Sequence, residues 1–286
     1  MENERIEALD PATRISVVMV DCVAAAGQLA RGHLSGPTAS VYLAEALAGA
    51  ALLGAETSQD GETVTFRLDA PSSPLGGFLV EATAEGTLRG YTKKKILDDF
   101  DGMGAPKDPE ALGESGTFEV IRSVPGAVLS SGAVAVKFAG KGGYAAQGLD
   151  AYFAQSLQRR VVTVLAGAAG DDGVPTVARG LMVECPPDGD EAAFVGVAEK
   201  FSSGAAMKAI SGVSFSPRTV LKKLGIPQAE MRRTVPLSFA CRCSAERARD
   251  IISAMPPEDR KSLPPSVDVT CHMCGRTWTV AIRDMI

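Results

Sequence analysis

Four of the six cysteines form two closely spaced pairs near the end of the 286-residue chain: Cys241 and Cys243, then, after 27 residues, Cys271 and Cys274. In an extended segment, alternate side chains lie on the same side, so the first pair can face one ion. Gly275 follows the second pair and suits a tight turn around it. Four thiolates at this spacing are typical of a tetrahedral zinc site. The sequence therefore predicts one zinc ion per chain, held by these four cysteines.

The remaining cysteines and histidines show no second reactive arrangement. Cys22 and Cys185 stand apart from the pairs, and free cysteine is commonly a small buried side chain. His272 lies between the second pair, but four thiolates already complete the tetrahedron, and His33 has no triad context. We therefore expect no catalytic residues and no enzyme activity of the nucleophilic type.

Two further motifs do not indicate a nucleotide site. The glycine-rich stretch 140–143 lacks the spacing and the final Ser/Thr of a phosphate-binding loop. The three lysines at 93–95 are more typical of a solvated face. The sequence thus gives no reason to expect ATP or any cofactor other than zinc.

Charge and composition restrict the class of protein. The net charge is −5, which argues against a general nucleic-acid binder. Aromatic residues make up 5% of the chain, which disfavours base-stacking platforms and sugar-binding clefts. The acidic N-terminus lacks the order of a signal peptide, and the apolar stretch 15–30 is interrupted by Asp21. We expect a cytosolic protein with no membrane partner, in which thiols remain reduced and cysteine pairs bind metal.

Hydrophobic patterns predict a mixed α+β fold through residue 185. Residues 1–14 are expected to be a loose acidic lead, and residues 131–132 a turn. Helices are expected at 22–34, 37–53 and 149–158, and long runs of strands rather than βαβ alternation indicate one large mixed sheet domain with packed helices. The predicted strands are 15–20, 63–68, 77–83, 87–92, 117–124, 133–138, 160–165 and 177–183.

Two smaller parts are expected after the main domain of residues 1–185. Residues 186–234 predict a weakly helical linker, with helices at 192–200 and 216–224 that are too short to persist alone. Residues 235–286 contain the four cysteines, a helix at 245–255 and a closing strand at 277–282. About fifty residues bury little core, so metal binding would have to supply much of the stability of this C-terminal zinc-binding domain.

These motifs resemble the redox-regulated 33 kDa heat-shock chaperone family over nearly the whole chain. The most specific segment is 239–244 (Phe-Ala-Cys-Arg-Cys-Ser) with Glu246, followed by the second cysteine pair and Trp278. Segments 149–158 and 180–182 also match. The departures are Leu157 in place of glutamate, Arg179 in place of glycine, Trp278 in place of tyrosine, and the additional Cys185. The first two are expected to affect only the surface of the main domain.

The resemblance implies an ATP-independent holdase whose reduced, zinc-bound form is inactive. Oxidants would convert the thiolates to Cys241–Cys243 and Cys271–Cys274 disulfides, each of which can close locally. Zinc would leave, residues 186–234 would unfold, and the exposed apolar surface would bind unfolding client proteins, with the active form a homodimer.

Two other functions stay open at this point. A CxxC pair can serve a thiol–disulfide oxidoreductase, although this one does not open a helix after a thioredoxin-like strand. The four cysteines also fit a constitutive zinc-ribbon adaptor for a protein or a nucleic acid. Residues 241–286 carry seven Lys/Arg and six Asp/Glu, which weakens the nucleic-acid version.

Overall fold

The computed structural model describes residues 3–102, 109–138, 144–212 and 215–282. The strands in these ranges are β1 (Glu4–Leu9), β2 (Ser16–Asp21), β3 (Thr63–Asp69), β4 (Gly77–Thr83), β5 (Thr87–Thr92), β6 (Ser115–Val124), β7 (Ala127–Lys137), β8 (Arg160–Ala169), β9 (Pro175–Cys185), β10 (Glu230–Pro236), β11 (Ser238–Phe239), β12 (Ser266–Thr270) and β13 (Thr277–Ala281). The α-helices are α1 (Val23–His33), α2 (Pro37–Leu53), α3 (Asp98–Asp101), α4 (Tyr144–Gln155), α5 (Glu191–Ser202), α6 (Ala205–Ile210), α7 (Pro217–Leu224), α8 (Ala245–Ser253) and α9 (Pro257–Lys261).

The strands form two large sheets and one small one. The five-stranded sheet has the order β10-β1-β2-β9-β8, and the six-stranded sheet has the order β11-β5-β4-β3-β6-β7. Pairing is antiparallel throughout, except that β11 runs parallel to β5. β12 and β13 form a separate hairpin near the C-terminus. The predicted α+β class, with large sheets and packed helices, is therefore confirmed.

Helix α2 lies between the two large sheets and forms the centre of the core. Pro37 occupies its first turn, where the missing N–H costs nothing. Sixteen of its seventeen residues are buried, since both sheets pack on it. Within the described residues, Pro37–Glu56 is the one helical segment long and apolar enough to cross a membrane, but 89% of its most apolar window is buried inside the protein. The composition of α2 is thus accounted for by its place in the core.

A second core joins the outer face of the five-stranded sheet to helices α5, α6 and α7. The sheet side contributes Ile6, Ala8, Ile15, Val17, Met19, Val164, Ala166, Leu181, Val183 and Cys185. The helical side contributes Phe194, Val197, Ala206, Ala209, Ile210, Phe215, Val220, Leu221, Leu224 and Ile226. The short helices after residue 190 therefore persist by covering an apolar sheet face rather than by their own propensity.

Several local predictions are wrong, mostly where long-range pairing decides the structure. The acidic lead forms β1, because it pairs with both β2 and β10. The turn expected at 131–132 lies inside the long strand β7. Strands β10, β11 and β12 and helices α3 and α6 were not predicted. The glycine-rich stretch 140–143 lies outside the described residues, and the three-part division of the chain stays a prediction.

Candidate metal centre

The two cysteine pairs lie on short connections between regular elements. Cys241 and Cys243 follow β11 and precede α8, whose first turn is capped by the Ser244 hydroxyl accepting from the Arg247 amide at 3.1 Å. Cys271 and Cys274 lie in the turn of the β12–β13 hairpin. There the Gly275 amide donates to the Cys271 carbonyl at 2.8 Å. Each pair is therefore held by a backbone motif that forms locally.

The four sulfurs converge on one point. All lie within 4.8 Å of one another. The Cys241 and Cys271 sulfurs are 3.8 Å apart, and those of Cys243 and Cys274 are 3.5 Å apart. A tetrahedron with Zn–S bonds of about 2.3 Å places its sulfurs about 3.8 Å apart. The donor set and its dimensions therefore fit a tetrathiolate metal ion, and the residues predicted from spacing are brought together.

The thiols differ in their proton affinity. For Cys241, burial opposes ionisation, but hydrogen bonds from the Cys243 amide and from the neighbouring thiols lower the pKa to about 7. Burial raises the pKa of Cys271 and of Cys274. Four sulfurs this close repel one another as anions, so they ionise together only with a cation among them. The arrangement is that of a cation site.

The cysteine turns contact the main sheets through backbone atoms. The Gly90 amide in β5 donates to the Met273 carbonyl at 3.1 Å. A Cβ on Gly32, near the end of α1, would lie 2.6 Å from the Cys274 carbonyl oxygen. A Cβ on Gly275, which has φ near 74°, would lie 2.0 Å from the Gly32 carbonyl oxygen. Only glycine permits this approach, so the metal centre is docked directly on α1 and β5.

An arginine from β5 reaches the site from the side. The Arg89 Nε donates to Glu81 Oε2 at 2.7 Å, and although burial opposes the charge, Glu81 and the Cys241 sulfur together raise the pKa of this guanidinium. Arg242, between the first two cysteines, lies 3.6 Å from the same Glu81 oxygen. Positive charge beside a cluster of thiolates offsets part of its negative charge. Sequence reasoning missed Arg89 and Glu81, because nothing local in the sequence places β5 beside the cysteines.

The two histidines lie beside the centre without belonging to the sulfur cluster. The His272 ring packs against Tyr91 with 6.1 Å between ring centroids. The His33 Nε2 lies 2.9 Å from the Gly90 carbonyl oxygen, and Gly90 in turn donates its amide to the Met273 carbonyl. Burial, aided by Lys95, lowers the pKa of His33. His33 therefore supports the docking of the second cysteine turn.

The remaining predicted residues lie elsewhere. Cys22 and Cys185 are buried away from the four sulfurs, as expected, and burial raises the pKa of Cys22. Of the lysines at 93–95, Lys93 pairs with Asp69 and Lys95 lies 4.7 Å from the centroid of the Tyr91 ring. These lysines are therefore engaged locally rather than gathered around a ligand.

Arg179 is not a surface detail, contrary to the expectation. It is nearly buried, and its Nε donates to Asp21 Oδ2 at 2.9 Å. Its Nη1 donates to the carbonyls of Ile210 and Gly212, and the guanidinium lies 5.1 Å from the centroid of the Phe215 ring. Arg179 therefore ties β9 to the chain between α6 and α7.

The fold and the site define a class: a two-sheet α+β protein that carries a C-terminal four-cysteine centre against its sheets. The family model described as Hsp33 protein matches residues 3–281. The chain belongs to the Hsp33 family.

Individual relatives agree with this assignment. A 33 kDa chaperonin of Thermus thermophilus is 30% identical over 268 residues, covering 87% of this chain and 75% of the relative. One from a Geobacillus species is 25% identical, covering 87% and 84%. The crystal structure of the 33 kDa chaperonin (heat shock protein 33 homolog) of Thermotoga maritima matches with a TM-score of 0.80 at 18% identity, covering 100% of this chain and 97% of the other. Membership of this family supports the function of a heat-shock chaperone, which binds unfolded proteins. The relatives are named chaperonins.

Proposed function

We propose that this chain is a redox-regulated, ATP-independent holdase of the cytosol. Its reduced form holds one zinc ion at Cys241, Cys243, Cys271 and Cys274 and is inactive. Oxidation closes Cys241–Cys243 and Cys271–Cys274 disulfides, releases the zinc, frees residues 186–234 and exposes apolar surface to unfolding proteins. The oxidised form acts as a homodimer.

The observation that carries this proposal is the position of the four sulfurs. They lie at the end of a chain segment that first covers the five-stranded sheet with α5–α7 and then docks on α1 and β5. When bound, zinc keeps the sulfurs deprotonated and joins the two turns. Among the described residues, the C-terminal core contains four buried apolar side chains, Ala248, Ile252, Val280 and Ile282. Such a small core depends on the metal for its stability.

The chemistry of release needs only the thiolates and a peroxide. One thiolate attacks the peroxide O–O bond, becomes a sulfenic acid and releases hydroxide. A neighbouring thiolate then attacks the sulfenic sulfur, which forms the S–S bond and expels a second hydroxide. Each disulfide passes two electrons to one peroxide, so closing both disulfides consumes two peroxides. Because all four sulfurs lie within 4.8 Å, each has a partner within reach.

The second core supports the proposal that apolar surface becomes exposed. The outer face of the five-stranded sheet contributes ten buried apolar or cysteine side chains that α5–α7 and the adjoining loops cover. Removing that cover exposes a contiguous apolar patch, which is typical of a surface for protein interaction.

The test combines zinc release, followed with the chelating dye PAR, and suppression of aggregation, followed by light scattering. Peroxide with mild heat should release one zinc per chain and turn on suppression together, with disulfide mapping by mass spectrometry giving the two local pairs. Zinc loss without gain of suppression would contradict the switch. Client binding that does not depend on oxidation would favour a constitutive adaptor. Reduction of insulin by the protein would favour a thiol–disulfide oxidoreductase.

A further inference from the structure

One contiguous segment covers an edge of each large sheet. We call residues 230–239 the strap. Its first part, β10, pairs with β1 at the edge of the five-stranded sheet. Its second part, β11, pairs with β5 at the edge of the six-stranded sheet. The strap lies between α7 and the first cysteine pair, so release of both neighbours would leave both edges free.

The direction of the β10 amides follows from two observations. The Leu237 amide donates to the Asn3 carbonyl at 2.7 Å. Residue 236 is proline, which has no N–H to donate. Since amides alternate in direction along an antiparallel strand, those of Val235 and Arg233 face β1, and that of Thr234 faces away. On β1, the amides and carbonyls of Arg5 and Glu7 face the strap by the same rule.

Side-chain packing holds β10 only weakly. Of its seven residues, Val235 alone is buried, and Met231 is 48% exposed. The ladder is also interrupted by a register shift between Glu7 and Ala8. By contrast, five of the six residues of β2, on the other side of β1, are buried. The strap is therefore held to β1 mainly through backbone hydrogen bonds, which any extended segment can provide.

We propose that the β1 edge is a docking site for extended segments of unfolding proteins, which add as an antiparallel strand in place of β10. This inference rests on the proposed function and deepens it by naming the form in which a client is bound. Strand addition gives affinity through the main chain, and alternate side chains give preference.

The flanking side chains define the preferred segment. Ile6 and Ala8 belong to the apolar face that α5–α7 cover, so one row of client side chains is apolar. Glu7 lies on the other side, where Arg233 of the strap approaches it to 3.9 Å. The edge therefore favours an extended segment with alternating apolar residues and a basic residue opposite Glu7.

The test uses the full-length, reduced, zinc-loaded protein, so that it does not depend on oxidation. Arg233→Pro removes an amide that faces β1, whereas Thr234→Pro removes one that faces away and is the matched control. Arg233→Ala keeps the amide and controls for the charge. The probe is a fluorescent peptide with the sequence of residues 229–238, and binding is measured by anisotropy.

We expect Arg233→Pro to bind the peptide at least about tenfold more tightly than Thr234→Pro, Arg233→Ala or the unmodified protein, a change well above measurement error. The amides of Arg5 and Glu7 should exchange hydrogen faster in Arg233→Pro and become protected again when the peptide is added. Reduced, carboxymethylated α-lactalbumin, which stays unfolded, should compete with the peptide. Equal affinity in the two proline variants would overturn the proposal.

A second measurement needs no folded proline variant. Peptides N-methylated at the positions of residues 233 and 235, or at that of residue 234, are added to the oxidised protein. Strand addition requires that the peptide methylated at positions 233 and 235 fails to bind and that the peptide methylated at position 234 binds. Equal binding of the two peptides would refute strand addition. Dimerisation of Arg233→Pro that displaces the peptide would identify the occupant as β10 of a second copy and would overturn the client assignment. If the oxidised protein suppresses aggregation while the β1 amides stay protected from hydrogen exchange, the holdase proposal stands. The β1 edge is then excluded as the client-docking site.

Discussion

Arg89 connects the cysteine centre to the six-stranded sheet. Its guanidinium pairs with Glu81, and the Cys241 sulfur is among the groups that raise its pKa, so Arg89 places positive charge beside one ligand and offsets thiolate charge. Residues that orient a metal ligand typically contribute about 10- to 100-fold in metal affinity. We therefore expect Arg89→Gln to weaken zinc affinity by about tenfold, as measured by competition with a chelator.

Arg67→Gln is the control for this prediction. Arg67 lies on β3 of the same sheet, which β4 separates from β5, and pairs with Glu119 at 3.5 Å and Asp69 at 3.7 Å. It should leave zinc affinity unchanged. Equal zinc affinity in the two variants would show that Arg89 has no role at the site.

The buried carboxyl of Asp150 should make the stability of the fold depend on pH, independently of the metal. Burial raises the pKa of this carboxyl in α4 from 3.8 to about 7, although Thr163 Oγ1, 2.7 Å away, favours the ionised form. The folded state thus binds the proton more tightly than the unfolded state. Its contribution to stability is fully present below about pH 4 and is lost as pH rises through about 7.

Asp150→Asn should remove this dependence. Relative to the unmodified protein, its free energy of unfolding should rise with pH between about 4 and 7, by at most about 1.4 kcal/mol per pH unit. Denaturant unfolding at several pH values measures it. Exposed Asp60→Asn is the control and should follow the unmodified protein. Parallel pH profiles for Asp150→Asn and Asp60→Asn would contradict the assignment.

The helices after residue 190 depend on Arg179 as well as on apolar contact. Removing one partner of a buried ion pair costs about 3–5 kcal/mol, because the other charge is left unpaired. Asp21 is such a partner, with a side chain 2% exposed. Arg179→Ala should therefore release the chain between α6 and α7 without oxidant. Limited proteolysis of the reduced protein should show faster cleavage between residues 191 and 226.

The exposed pair of Arg14 and Asp188 provides the comparison. It joins the loop before β2 to the turn after β9 at 2.7 Å, but both side chains are more than half exposed. Exposed pairs contribute about 0–1 kcal/mol. Arg14→Ala should thus leave the cleavage rate unchanged, and similar rates for Arg14→Ala and Arg179→Ala would refute the role of burial.

The molecule as a whole combines two large cores with one small core. The main core around α2 and the second core under α5–α7 are extensive, whereas the third has four fully buried apolar side chains. Removal of zinc by a chelator should therefore unfold residues 241–282 and leave the pairing of β2 with β9 intact. Hydrogen exchange resolved by segment measures both effects.

Cysteine variants separate the metal from general stability. Cys274→Ser should reproduce the effect of the chelator, since it removes one of the four sulfurs. Cys22 is buried in the main core. Cys22→Ser should therefore lower overall stability, because it buries a hydroxyl, but leave the zinc content unchanged. Full protection of residues 241–282 in Cys274→Ser would show that the metal does not support the fold there.

Much of the local structure could be predicted because it follows from local causes. Pro37 begins α2 as expected, and the 87–92 strand pairs with 77–83 across Glu85 and Gly86. Of the strands that were not predicted, β10 and β12 have polar or exposed residues at most positions, and three of the six residues of β1 are charged. They are strands because of their neighbours, which propensity does not show.

The sequence by itself determined the four cysteines, the donor chemistry and the α+β class, because ligand type, spacing and hydrophobic period are local properties. The tertiary structure decided which surfaces those cysteines contact. Gly32, Gly90, Arg89 and Glu81 are distant from them in sequence, and the strap covers two sheet edges that are built from the first hundred residues. Such contacts depend on the packing of whole sheets and helices, since the close backbone approach at Gly32 exists only once α1, β5 and the cysteine turns are in place.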